Sequence, residues 1–411
     1  MNQIEVLLED ASLLATPMRV GWLFRDAGRR GEVIRFEYDA AWLANSRAFA
    51  IEPLLPLYEG PFHAQDPLQP LGVFQDCSPD RWGKLLMDRR EAIEAREQGR
   101  PRRALRPWDY LIGVDDGTRM GALRLREPDG GPYAASLQRS APPVTSLREL
   151  EAAARLVEQG AGQQLDKQIR QLLVPGGSLG GARPKASFVD EHGELWLAKF
   201  PSNEDRIDVG LWEFVAYRLS IAAGIDMPDA RLLPLSDRGH TYAARRFDRD
   251  GTGRRMYASA KTLLDMDSDG ASYLDLAMAV QDNGAAGSVE AGLKELFRRA
   301  VFNVLVGNRD DHLRNHGFLR APTGWTLAPA FDVNPNPDKD VHVLALDAAD
   351  PTPDTSVLMA QHAYFRLDAD AARAIVEEVR TAVRSWSDEA KRLRAKGQEI
   401  SLMEAVIDPE R

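Results

Sequence analysis

Asp310 and Asn315 stand five positions apart in the run Asp310-Asp311-His312-Leu313-Arg314-Asn315, and Asp332 follows downstream. A carboxylate, an amide oxygen and a second carboxylate in that order are the parts that phosphoryl transfer uses. The first orients an attacking hydroxyl, and the other two hold the magnesium that bridges the phosphates. Asp310 is therefore read as the catalytic base, and Asn315 and Asp332 as the metal ligands. Asp311 competes for the role of base; the spacing to Asn315 is what favours Asp310. His312, inside the loop, either contacts phosphate, holds Asp310 in position, or packs the loop. With His316 it makes a His-x-x-x-His spacing, but Leu313 stands where a zinc protease carries Glu, and zinc is set aside.

These residues need elements to position them. Leu293, Leu296, Phe297, Ala300, Val301 and Val304 recur at helical spacing, and Gly307 ends the run. A packed helix thus delivers Asn308 to Asn315 to a loop. His316 to Leu319 and Trp325 to Ala328 read as short strands joined by Ala321-Pro322-Thr323-Gly324, so that Asp332 emerges beside the loop it serves. Further along, Ala371 to Lys396 carries apolar residues at spacings of three and four, an amphipathic and structural helix.

Upstream, Pro175-Gly176-Gly177-Ser178-Leu179-Gly180-Gly181-Ala182 precedes a predicted strand. Glycines let backbone N–H groups approach a phosphate closely. This segment matches neither the Walker pattern nor Gly-x-Gly-x-x-Gly, so taken alone it is either a phosphate nest or an ordinary flexible loop. Lys199 alternates with Leu195 and Leu197 along one face of a strand, where a charge wants an anionic partner such as phosphate; the plain alternative is a lysine snorkelling from a strand end before Pro201. Lys185 reaches phosphate, braces the loop, or is simply solvated. Glu213 lies on the helix after the Lys199 strand, where a kinase-like site places the carboxylate that orients its lysine, although an exposed helical Glu is the commoner case.

At 411 residues, 44% hydrophobic and 28% charged, without repeats or low-complexity tracts, the chain reads as globular, with two or three substructures. A net charge of −10 argues against broad nucleic-acid binding. The densest positive stretch, Arg89 to Arg106, is diluted by Glu91, Glu94 and Glu97, lacks stacking aromatics, and is expected to be a solvated helix. One cysteine, Cys77, forbids an internal disulfide. No apolar run reaches the roughly 20 residues a membrane span needs, and the first thirty residues lack a signal-peptide core, so a cytoplasmic protein is expected. Residues 1–140 read as an α+β subdomain. Residues 141–255 read as a nucleotide-binding lobe entered through a helix capped by Ser146 with Glu149 in a capping box, and residues 256–411 as a mainly helical catalytic lobe.

Several blocks in order, Leu71 to Gly83, Gly176 to Lys185, Leu197-Ala198-Lys199-Phe200-Pro201, Arg246-Phe247-Asp248-Arg249, Gly307 to Asn315 and Ala330-Phe331-Asp332-Val333, resemble those of the HipA family, the kinase toxins of bacterial toxin-antitoxin modules. The resemblance implies an α+β, two-lobed protein-kinase-like fold with an added N-terminal subdomain. It implies ATP and Mg2+ as cofactors, transfer of the γ-phosphate to a protein serine or threonine, and neutralisation by a helix-turn-helix antitoxin of HipB type, through which DNA would mainly be contacted. It also implies an aminoacyl-tRNA synthetase as target, with arrest of translation. By position, Ser178 becomes an autophosphorylated regulatory serine within the nucleotide-binding residues Gly177, Ser178, Leu179, Gly180, Gly181 and Lys185; Lys199 becomes the phosphate-binding lysine, His312 part of the site, and the strand ending at Phe247 the adenine hinge. Arg245 stands in that hinge where the family often has Glu.

Two other functions compete. Gly307-Asn308-Arg309-Asp310 and Asp190-Glu191-His192 partly match a two-metal phosphoesterase, but no Gly-Asp dipeptide supplies the middle motif, and Arg309 would repel the metals. A catalytically silent binding partner in a repressor complex is the third reading, and the intact Lys199, Asp310, Asn315 and Asp332 set argues against it.

Overall fold

In Gly31–Tyr38 apolar and polar residues alternate, and Ile34, Phe36 and Tyr38 are accordingly buried while their neighbours stay half-exposed. The computed structural model, which describes residues 2–28, 31–66, 68–136, 141–160, 166–176, 181 and 183–411, places this strand in an antiparallel sheet. Its strands are β1 (Gln3–Leu8), β2 (Met18–Gly28), β3 (Gly31–Tyr38), β4 (Pro61–His63) and β5 (Leu123–Arg126), in the order β4-β3-β2-β1-β5. Gly21 of β2 lies so close to β3 that a Cβ would stand 2.3 Å from the Glu37 carbonyl oxygen, which leaves room for glycine alone.

The chain divides into two compact units, residues 1–204 with 248–258, and residues 205–247 with 259–411. Unit 1 holds this sheet, the helix Arg81–Glu97 and an antiparallel pair, β6 (Lys185–Val189) and β7 (Leu195–Lys199). The excursion 248–258 is pinned there by charge. Asp248 Oδ2 accepts from the Gly121 N–H at 2.7 Å and from Arg249, and Arg254 donates to the Asp116 carbonyl at 2.5 Å. The fully buried Arg119 donates to the carbonyls of Cys77, Leu111 and Val114 at 2.8–3.3 Å, so its charge is met by backbone dipoles.

Unit 2 contains the pair β8 (Ala230–Ser236) and β9 (Gly239–Arg245), the helices Val209–Ala222, Tyr273–Asn283 and Val289–Val306, and a hairpin of Gly317–Ala321 with Gly324–Leu327. The Val289–Val306 helix is buried along Leu293, Leu296, Phe297, Ala300, Val301 and Val304, and Gly307 caps it in the left-handed region at φ 71°, as the periodicity predicts.

Two local expectations need correction. Ser146 does not cap a helix with its side chain: its backbone is already helical, it closes a 3-10 turn over Val144–Ser146, and Leu147–Gln159 continues from there. Ala371 to Lys396 is not one helix but two, Ala369–Val383 and Trp386–Arg392. At the break, the Ser385 hydroxyl donates to the Ala382 carbonyl at 2.8 Å, competing with the helical ladder. Trp386 beyond it packs against Trp212, ring centres 6.3 Å apart.

Candidate active site

Asp310 and Asn315 belong to a loop whose two ends are set by regular structure. At its start the Asn308 N–H still donates to the Asn303 carbonyl at 2.9 Å, extending the helix end. At its finish the hairpin begins at Gly317. The Ala328 N–H donates to the Gly317 carbonyl at 2.9 Å, so the segments carrying Asn315 and Asp332 leave the same end of the hairpin. Asp332 sits at φ 58°, a left-handed conformation rare for a side-chain-bearing residue and concentrated at functional sites.

The two adjacent aspartates divide sharply. Asp310 has a side chain 57% exposed and an ion pair with Lys339. Asp311 is 3% exposed, and its Oδ2 accepts from the Tyr273 hydroxyl, from Asn303 Nδ2 at 3.0 Å and from His316 Nε2 at 2.8 Å. Burial pushes the Asp311 carboxyl up, but His316 and the Tyr273 hydroxyl outweigh it and hold the carboxyl below its ordinary value. Burial, reinforced by the Asp311 charge, keeps Tyr273 a phenol. An ionised carboxylate only accepts, so His316 Nε2 carries the hydrogen. Asp311 is therefore enclosed as an acceptor, and Asp310 is the more accessible carboxylate of the two.

His312 is half-buried, with Nδ1 lacking a hydrogen-bond partner among the described residues, and its carbonyl accepts from the Asn315 N–H at 2.8 Å. Asp332 Oδ1 accepts from Asn334 Nδ2 at 3.4 Å. Asn315 and Asp332 offer only amide and carboxylate oxygens, the hard donors that Mg2+ takes alongside water and phosphate, so the pair fits that ion. Among the described residues no cluster of three or more His, Cys, Asp or Glu side chains suits a metal. Phe247 lies against Phe331, the neighbour of Asp332, at 5.2 Å between ring centres. Arg245 ends β9, pairs with Asp229 at 3.2 Å, and is exposed at its head. Glu213, on Val209–Ala222, is buried rather than exposed, within electrostatic reach of Tyr242.

In unit 1, Lys185 and Lys199 are directly opposed across β6 and β7. Like charges so placed repel. Lys185 is not solvated: it is 2% exposed and paired with Asp80 at 3.1 Å, and its Nζ lies 2.7 Å from where a Cβ on Gly181 would stand. Asp80 also caps the helix Arg81–Glu97 through the Gly83 N–H, and Trp82 donates to the Lys185 carbonyl at 3.1 Å. Lys199 shares its face with Leu195 and Leu197, as expected, but that face is half-exposed; Trp196, Ala198 and Phe200 fill the core side. Gly177, Ser178, Leu179 and Gly180 lie outside the described residues.

The arginine-rich stretch is ion-paired rather than merely solvated. Glu91, buried, accepts from Arg100 and Arg103, and Arg170 of the helix Asp166–Gly176 binds Glu97 at 2.7 Å. Asp190 accepts from the backbone N–H groups of His192 and Glu194 and from the Trp196 indole at 2.9–3.0 Å, which makes Asp190-Glu191-His192 a turn.

Sequence reasoning missed Tyr273, Asn303, Asn334 and Lys339, and weighed Asn308 only within the phosphoesterase match. Asn303 left one signal, a polar residue among the apolar positions of the Val289–Val306 helix; the others become legible only as neighbours.

The description "HipA-like C-terminal domain" matches residues 177–386, just over half of the chain, and "HipA N-terminal domain" matches residues 12–106. Y4mE of Sinorhizobium fredii, which its name assigns provisionally to the kinases, is 25% identical over 347 residues, spanning 74% of this chain and 72% of that one. A chain from the Shewanella oneidensis MR-1 toxin-antitoxin complex of HipA, HipB and operator DNA superposes with a TM-score of 0.64 at 15% identity, covering 98% of this chain and 94% of that one. That likeness carries the mixed α and β, kinase-like fold, and with both domain matches in chain order the protein belongs to the HipA family.

Proposed function

We propose that this protein is an ATP- and Mg2+-dependent serine/threonine protein kinase, the toxin of a toxin-antitoxin module. The observation that carries the reading is the split between the adjacent aspartates: Asp311 is consumed by three donors, while Asp310 stands exposed at the start of the Asp-x-x-x-x-Asn loop. Asp310 orients the substrate hydroxyl and takes up its proton. Asn315 and Asp332 would hold Mg2+, which when bound neutralises phosphate charge. Lys199, with Lys185 beside it, supplies positive charge for the phosphates, and the Phe247 segment serves as adenine hinge. The implied substrates are Ser178 of the chain itself and an aminoacyl-tRNA synthetase. The implied partner is a HipB-type helix-turn-helix antitoxin; family likeness to the Shewanella HipA, which forms a complex with HipB and operator DNA, supports that pairing.

The phosphoesterase reading loses ground, because Asp190 is engaged in a turn and His192 projects into solvent with its side chain 74% exposed. The test is phosphopeptide mass spectrometry after incubation with Mg2+ and ATP, beside Asp310→Asn and an EDTA control. Phosphate on Ser178 in the active sample alone is the expected result. No phosphate on any residue, together with no ATP binding, would overturn the assignment in favour of a silent binding partner.

A further inference from the structure

The buried polar residues beneath the catalytic loop form one continuous chain of hydrogen bonds. It runs from Asp332 Oδ1 to Asn334 Nδ2 (3.4 Å), from the Asn334 N–H to Asn308 Oδ1 (3.4 Å), from Asn308 Nδ2 to Asn303 Oδ1 (3.1 Å), and from Asn303 Nδ2 to Asp311 Oδ2 (3.0 Å). From Asp311 it passes to His316 Nε2 (2.8 Å), the residue after Asn315. Asn303, Asn308, Asp311 and His316 are each at most 5% exposed. Buried polar groups in an otherwise apolar helix packing are costly unless satisfied; here Asn303, Asn308, Asp311 and His316 Nε2 meet one another, while Asn334 Oδ1 and His316 Nδ1 have no hydrogen-bond partner among the described residues.

The endpoints matter. One end of the chain is Asp332 itself, and the other end is bonded, through Asp311 and His316, to the neighbours of Asp310 and Asn315. Tyr273 closes over the junction: its hydroxyl donates to Asp311, and its ring meets the His316 imidazole edge-on at 5.9 Å. The His316 carbonyl in turn accepts from the Ala260 N–H at 2.8 Å, which fixes the backbone directly after Asn315.

We infer that Asp311 is a positioning residue, the hub of a buried amide chain that sets the relative placement of Asp310, Asn315 and Asp332 for metal binding. This rests on the kinase reading. Enclosed by its three donors, Asp311 acts through its neighbours, as outer-shell partners orient ligands elsewhere, where their loss costs about 10–100-fold in metal affinity. His316 is the hinge of the effect because its ring bond and its carbonyl bond flank Asn315.

The test measures the Mg2+ concentration that half-saturates phosphoryl transfer at saturating ATP, alongside thermal unfolding, for wild type, Asp311→Asn, His316→Gln and His316→Leu. Asp311→Asn and His316→Leu are expected to raise the half-saturating Mg2+ by about 10–100-fold. His316→Gln, which keeps an N–H at the Nε2 position, is expected to stay within about threefold of wild type. A merely structural role would lower the melting temperature and leave the Mg2+ dependence of the folded fraction unchanged, and that outcome overturns the inference. So does equal damage from His316→Gln and His316→Leu, a comparison that decides the matter even where Asp311→Asn does not fold. Wild type that transfers no phosphate with Mg2+ and ATP would instead sink the kinase reading on which the inference stands.

Discussion

Replacing Gly307 by alanine asks whether the loop from Asn308 to Asn315 is launched by steric necessity. Gly307 ends the Val289–Val306 helix at φ 71°, and a Cβ there would lie 2.6 Å from Val406 Cγ1 and 2.7 Å from the Val406 carbonyl oxygen. The first contact is with a side chain that can rotate; the second is with backbone, which cannot yield without moving the C-terminal segment. Two costs therefore add. The left-handed backbone costs a non-glycine residue about 1–2 kcal/mol, and overpacking typically costs about 1–3 kcal/mol more, so Gly307→Ala should destabilise by about 2–5 kcal/mol. Gly160 provides the control. It caps the helix Leu147–Gln159 at φ 67°, but among the described residues nothing lies within 4 Å of its hypothetical Cβ, so Gly160→Ala should cost only the backbone share, about 1–2 kcal/mol. Urea unfolding of the two variants separates the contributions, and adding Val406→Ala to Gly307→Ala should recover only part of the difference. Equal losses at the two glycines would refute the crowding argument, because the backbone term alone would then account for both.

Two further outcomes follow from buried charge. Breaking the Asp80–Lys185 pair by Asp80→Asn should cost about 3–5 kcal/mol, whereas Asp80→Asn with Lys185→Met should regain most of that loss, since the ammonium goes with its partner; chemical denaturation of the single and double variants reads the coupling directly. His342 titrates in a useful window. Burial pushes its imidazole down, the Asp311 charge pulls it back, and the Arg309 and Arg411 charges push again, leaving it at about 4 against 6.5 for the ordinary side chain. The unfolded chain thus binds the extra proton between those values, so the stabilisation is complete above about pH 6.5 and is lost as pH falls toward 4, on the order of 3 kcal/mol. In His342→Asn the unfolding free energy should be flatter over that window; an unchanged slope would mean the imidazole is not held neutral.

The local code was legible wherever one segment decides its own conformation. The 3.6-residue spacing of Leu293, Leu296, Phe297, Ala300 and Val304 and the glycine after them specify a helix and its end, and the turn residues between Ala321 and Gly324 specify a hairpin, with Ala321 paired to Gly324. It failed where a side chain had two choices of equal local merit. Ser146 reads as a cap from type and spacing, yet a 3-10 turn had already satisfied the backbone there. The run from Ala371 to Lys396 keeps helical periodicity across Ser385, and periodicity does not register a hydroxyl that takes a carbonyl from the ladder.

By itself the order of residue types determined the chemistry on offer: a carboxylate, an amide and a second carboxylate with spacing suited to phosphoryl transfer, two lysines on adjoining strand segments, and apolar periods long enough to build a core. It could not decide which of Asp310 and Asp311 is reachable, because neighbours in sequence carry the same functional group and differ only in surroundings. Tertiary structure decided it by bringing Tyr273, Asn303 and His316 onto one carboxylate and leaving the other exposed, beside Lys339. It likewise gave Lys185 a partner more than a hundred residues away in Asp80, and turned an arginine-rich stretch into paired charges around Glu91. Hydrogen bonds and burial depend on distance in space, and spacing along a chain records that distance only within a helix, a strand or a turn.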